Sequence, residues 1–134
     1  MNNDILIIIV LYNTKLLSSP SYCSLSGQIS VDSFFIFDNS PEPMISEDEV
    51  NTTGVMYEHD RTNPGLGHAY NTGARIASKL GKKWILLADQ DTIFSTDFFS
   101  FLHQCFSNAF VLSLIFIRFS NTHCLTINMQ FSNQ

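Results

Sequence analysis

Charged side chains are scarce in this 134-residue chain: 14% of residues are Asp, Glu, Lys or Arg, where about 25% is usual for a soluble domain. A surface that poor in charge implies that part of the chain packs against something, or does not behave as ordinary surface. Basic residues are the scarcer kind. There are seven against twelve acidic ones, the net charge is −5, and only Lys82 and Lys83 are adjacent. No stripe exists to neutralise a phosphate backbone, which excludes nucleic acid as a partner. An acidic protein that binds anionic nucleotides needs a metal ion between them.

Cysteine is equally sparse. Cys23, Cys105 and Cys124 are far apart, odd in number and form no C-x-x-C. Free thiols in a reducing, cytoplasmic setting follow, not a disulfide framework. His103, Cys105, His123 and Cys124 are poorly spaced for zinc, because two of them are neighbours in sequence. Long apolar runs are missing too. The run at Ile5–Leu11 has no Lys or Arg before it, and the run over residues 109–117 is cut by Arg118. Both fall short of the roughly 20 residues of a membrane span, and the first lacks the basic flank of a signal peptide.

What is present is an α/β pattern. Ile5–Leu11 is a continuous aliphatic run, as expected of a parallel strand covered on both faces. Residues 15–30 read as an irregular connection or short helix, and 33–37 as a second strand broken by Pro41 and Pro43. Residues 42–51 read as an acidic surface loop and 55–58 as a short third strand. Asn63 and Pro64 read as the start of the strongest helix, with Leu66, Ala69, Tyr70, Gly73, Ala74, Ala77 and Leu80 on one face and Gly81 as its stop. Residues 84–88 form a fourth strand. Strands alternating with connections of this kind predict a Rossmann-like α/β fold with a mainly parallel sheet.

Three of these strands end in polar clusters: Tyr12-Asn13, Asp38-Asn39 and Asp89-Gln90-Asp91. Parallel strands bring such ends to one edge, where open α/β sheets bind ligands. Asp89 and Asp91, two apart on extended backbone, would face the same side. Such an acidic pair suits a hard divalent cation, Mg²⁺ or Mn²⁺, which bridges to phosphate oxygens. The glycines of residues 63–73 do not spell a dinucleotide fingerprint, and Gly81-Lys82-Lys83 is not a phosphate-binding loop. Gly73 reads as a close-packing position, and His68 as a partly exposed helix residue. A phosphoacceptor receiver domain also carries acids at strand ends, but it requires a later lysine, and none follows Lys83.

Together these pieces resemble the family-2 glycosyltransferases. The resemblance rests on Val10-Leu11-Tyr12-Asn13, Asp38-Asn39-Ser40, residues 63–73 with Ala69 and Asn71, and the segment from Trp84 to Asp89-Gln90-Asp91, and it covers about residues 4–100. The wording around Asp38 and Asp89 is most similar to the rhamnosyltransferase branch, which uses dTDP-rhamnose. The resemblance implies an A-type glycosyltransferase fold and inverting transfer from a nucleoside-diphosphate sugar, dTDP-rhamnose or a UDP-sugar, to a saccharide or lipid-linked acceptor. The nucleotide-sugar set it implies is Tyr12, Asn13, Asp38, Asn63, Gly65, Asn71 and Asp89. Within it Tyr12 and Asp38 meet the base and Asp89 the ribose, while Asp91 holds the metal. The family's general base is a later carboxylate, yet all twelve acidic residues lie at or before Asp97.

Two regions are therefore expected. Residues 1–104 form the nucleotide-sugar-binding domain. Residues 105–134 form an apolar, charge-poor tail, read as truncated core or as a frameshifted segment. The alternative to an active transferase is a non-catalytic fragment without turnover. The apolar set from Phe98 through Ile117 is expected to lie uncovered and to drive self-association or peripheral membrane association.

Overall fold

The structure, a computed structural model, describes residues 2–107. The described chain is an α/β fold built on one sheet of four strands: β1 (Ile5–Leu11), β2 (Phe34–Asp38), β3 (Met56–His59) and β4 (Trp84–Asp89). Their order is β3-β2-β1-β4 and every pairing is parallel. The expected strands 33–37, 55–58 and 84–88 each match within a residue. The apolar run over residues 109–117, and most of the tail, lie outside the described residues.

All seven residues of β1 are buried because both of its faces are covered. Ile5, Ile7, Ile9 and Leu11 join Phe34, Ile36, Leu86 and Ala88 in one core. Leu6, Ile8 and Val10 join Phe35, Phe37 and Leu87 in the other. The first core is closed by helices α1 (Pro20–Leu25) and α4 (Phe98–Ser107) through Tyr22, Leu25, Phe98, Phe99 and Leu102. The second is closed by α3 (Leu66–Lys79) through Ala69 and Ala77.

Here one expectation is corrected. Phe98, Phe99 and Leu102 are not orphan surface. They are buried against the sheet, with Phe94, Phe98 and Phe99 stacked edge to face at centroid distances of 4.8 and 5.2 Å. Phe101, on the other side of α4, is 64% exposed. The rest of that apolar set, from Phe106 onward, falls in residues whose side chains lie outside the description.

A second correction concerns the acidic loop. Its latter part is a helix, α2 (Glu47–Thr53). Ser46 caps it by accepting the Glu49 N–H at 3.2 Å. Glu47, Asp48 and Glu49 occupy its first turn, where the helix dipole favours negative charge. Gly54, at φ 75°, ends it in the left-handed conformation.

The third correction is at the start of α3. Asn63 has φ 49° and Gly65 φ 89°. Neither is helical, so the helix begins at Leu66 and not at Pro64. The buried stripe is Ala69, Thr72, Gly73 and Ala77, while Leu66 and Leu80 at the two ends stay about half exposed. The stop at Gly81 is as expected: the Gly81 N–H donates to Ser78 O and the Lys82 N–H to Ala77 O.

Candidate functional site at the carboxyl edge of the sheet

Strand register brings the polar ends level. Leu11 pairs with Asp38, Asp38 with His59, and Val10 with Asp89. Adjacent strands lie about 4.8 Å apart, so the segments after β1, β2, β3 and β4 share one edge. The chain moves outward from β1 to β2 to β3, then crosses back to set β4 on the other side of β1. The strand order reverses between β1 and β4, the position at which open sheets of this kind usually bind ligands.

The β4 end is a turn and not the extended pair the sequence suggests. Asp89 is the last strand residue, and the Thr92 N–H donates back to its carbonyl at 3.2 Å. Asp91 therefore leaves the strand direction, and the same-side argument for Asp89 and Asp91 does not hold. The two still sit at one strand end, Asp89 half-buried and Asp91 exposed.

Helix α1 holds this turn by its backbone. The Ser21 hydroxyl contacts the carbonyls of Asp89 and Thr92, the latter at 3.0 Å. Ser19 Oγ donates to the Gln90 carbonyl at 2.8 Å, and the Ser21 N–H donates to the same carbonyl at 3.2 Å. Gln90, which has no role in the sequence analysis, ties the two strand ends together: its Oε1 accepts the Tyr12 N–H at 2.8 Å and its Nε2 donates to the Tyr12 carbonyl at 3.4 Å. Only its place between two aspartates hinted at this. The clamp leaves the Tyr12 side chain 49% exposed at the strand end, open to stack on a ring.

Asp38 is the hub of the neighbouring strand end. It is fully buried. Its Oδ1 accepts the Ser40 N–H at 2.9 Å, and its Oδ2 accepts the Met44 N–H at 2.7 Å and the Tyr57 hydroxyl at 2.8 Å. Ser40 Oγ accepts the Asn13 N–H at 2.8 Å, and the Ser40 carbonyl accepts from His59 Nε2 at 2.8 Å. One network thus joins β1, β2 and β3, and holds Asn13 at φ 51°. The direct base contact expected of Asp38 is not what this arrangement offers, because protein donors occupy both oxygens and no surface remains.

Burial and the hydrogen bond to Asp38 raise the Tyr57 phenol pKa well above its ordinary value, and burial raises that of Tyr22. A phenol whose folded pKa is raised gives stability that is complete below the unfolded value of about 10 and is lost as pH climbs past it. Alkaline melts followed with tyrosinate absorbance should therefore show stability falling above about pH 10. Tyr57→Phe should be less stable at neutral pH by about 1–3 kcal/mol and should show a shallower alkaline decline.

Asn63 and Gly65 lie just before α3 at the same end of the sheet, both outside the buried core, and Asn71 is exposed further along the helix. No side chain caps α3 at Gly65. His68 packs edge-on against Phe37 at 5.7 Å, in keeping with a structural place for it. Gly73 is a packing position, as expected: an added Cβ would overlap Ile8 and lie 3.1 Å from Phe35.

Among the described residues no three His, Cys, Asp or Glu side chains gather to hold a metal. None of the eight expected site residues lines the cleft of about 490 Å³ that opens beside α2 between Pro43, Ile45, Glu47, Val50, Asn51 and Tyr57. No described helix is long and apolar enough to cross a membrane.

Fold and edge together define an α/β domain with a parallel, Rossmann-like sheet whose polar strand ends meet at its carboxyl edge. Comparison with protein-family models, curated proteins and solved structures finds no match for this chain.

Proposed function

We propose that this chain binds a nucleoside-diphosphate sugar with Mg²⁺ or Mn²⁺, as the donor half of a family-2-type glycosyltransferase. The observation that carries the reading is the meeting of polar residues at the ends of β1 and β4, where the strand order reverses. Tyr12 stands open on one side and the Asp89-Gln90-Asp91 turn on the other, and the Gln90 amide fixes the two against each other. The base stacks on Tyr12 and the ribose hydroxyls meet Asp89.

Asp91, exposed at the strand end, suits a small hard cation that takes its remaining ligands from phosphate and water. When bound, the metal offsets the charge developing on the departing diphosphate. The chain's own part is to place it. The α1 serines lock the carbonyls of the turn, so the carboxylates need little reordering on binding. The N–H groups at the start of α3 stand at the same edge for the diphosphate, with Asn63 and Gly65 forming the approach and Asn71 flanking it on α3. Transfer to a saccharide or lipid-linked acceptor completes the proposed reaction.

Calorimetry with a nucleoside diphosphate tests the reading. Binding should require Mn²⁺ or Mg²⁺, and Asp91→Ala should reduce affinity at least 100-fold, about 2.7 kcal/mol. Equal binding with and without metal would count against it. A second reading is donor binding without turnover by this chain, whose residues 98–134 supply no Asp or Glu as a general base. Measurable transfer of sugar to an acceptor would remove it.

A further inference from the structure

Among the described residues, β3 pairs with β2 alone and stands at one edge of the sheet. The Asp60 N–H donates to the Asp38 carbonyl at 2.9 Å, and successive residues of a strand turn their backbone groups to opposite edges. The N–H and C=O of Glu58 therefore face β2, while those of Tyr57 and His59 face outward. A row of outward N–H and C=O groups is a template for a further strand. Beside it lies the cleft of about 490 Å³, which Tyr57 itself lines. Ile45, Val50 and Tyr57 give the cleft apolar walls and pack against one core, so it opens on the face of the sheet that carries α2. Glu47 and Asn51, both exposed, line it as well. The charge around this edge has one sign. Residues 42–60 hold six of the twelve acidic residues and no Lys or Arg, and of the six Glu42, Glu47, Asp48 and Glu58 are exposed.

We propose that the β3 edge and the α2 cleft together take an extended, basic segment of a partner protein, added as a strand beside β3. The backbone of the segment bonds to the outward groups of Tyr57 and His59. Its side chains alternate in direction, so every second one turns to the α2 face, where the cleft accepts an apolar residue. In this mode of recognition the main chain supplies affinity and the pocket for alternate side chains supplies specificity. Lys or Arg at the remaining positions meets the acids of residues 42–60, and an acidic segment is repelled. None of the residues assigned to the nucleotide sugar or its metal lines the cleft, so the proposal stands whether or not the donor-binding reading does.

The test is fluorescence anisotropy on the full chain with a short labelled peptide in which lysine alternates with leucine. The chain should bind it, and should bind the version with glutamate in place of lysine at least tenfold more weakly. Two further versions carry N-methyl groups on one or the other set of alternate amides, and one of the two should lose at least tenfold in affinity. Amide exchange followed by NMR gives an independent readout. The peptide should slow exchange at Tyr57 and His59 at least tenfold and leave Glu58 unchanged, since its N–H already faces β2. Asn51→Arg, an exposed change beside the cleft, should weaken binding at least tenfold with the melting temperature unchanged. Glu58→Lys should do the same if the first variant folds poorly. Binding that ignores both backbone methylation and these substitutions would be charge attraction alone and would overturn the proposal. So would slow exchange at Tyr57 and His59 in the free chain without peptide binding, because another part of the chain or a second copy would then cover the edge.

Discussion

Asp38→Ala should destabilise the chain by about 3–5 kcal/mol, a large share of the roughly 5–15 kcal/mol that folded domains possess. Deleting the carboxylate strands three donors at once: the N–H groups of Ser40 and Met44 and the Tyr57 hydroxyl. A buried donor left without an acceptor costs about 1–3 kcal/mol. Met44 and Tyr57 are half-buried, so water recovers part of the loss, which sets the lower end of the range. Asp38→Asn keeps one acceptor oxygen but turns an amide NH₂ toward a donor, and should cost less than the alanine. Urea denaturation measures both. Because Ser40 in turn holds the Asn13 N–H, amide exchange at Asn13 should quicken in Asp38→Ala even under conditions where the fold persists. A loss below about 1 kcal/mol would mean that the network relaxes around the gap.

Gly73→Val should cost about 3 kcal/mol. Gly73 faces the sheet where α3 crosses β1, and a Cβ there would overlap Ile8 Cδ1 and lie 2.7 Å from its Cγ1. Ile8 is completely buried and has no open space to turn into. Two effects oppose each other in Gly73→Ala. Alanine favours the helix by about 1 kcal/mol over glycine, while overpacking costs about 1–3 kcal/mol. The second wins, since the clash is with a fixed core residue and not a mobile surface chain. Ile8→Val removes the overlapping methyl and alone should cost about 0.5–1.5 kcal/mol. Combined with Gly73→Ala it should cost less than the sum of the two single changes, because the residues touch. Strict additivity in a thermal-melt cycle would show that the helix shifts away and the contact does not limit its approach.

Much of the sheet was legible because its strands are nearly unbroken apolar runs. Residues buried on both faces carry no polar alternation, and that composition is hard to mistake when Pro and Gly punctuate its ends. Helix α2 carries its own signals in sequence. Ser46 followed by Glu49 is a capping signature and Gly54 a stop. The density of acids suggested a solvated loop, whereas those acids sit in the first turn where the dipole favours them. The buried place of Phe98, Phe99 and Leu102 could not be read from composition, since an apolar residue without charged neighbours looks the same whether a sheet covers it or nothing does.

By themselves, the residues determined the parallel α/β pattern, the gathering of Tyr12, Asp38, Asp89 and Asp91 at strand ends, and the close-packed role of Gly73. These follow from periodicity and strand boundaries, which are local properties. Tertiary structure alone decided which polar groups are spent and which remain open. It gave Asp38 three protein donors, left Asn39 with none, and used Gln90 to join β4 to a residue 78 positions earlier. Hydrogen bonding is settled by distances through space, and a carboxylate or amide carries no mark in sequence of the donor that the fold will bring to it.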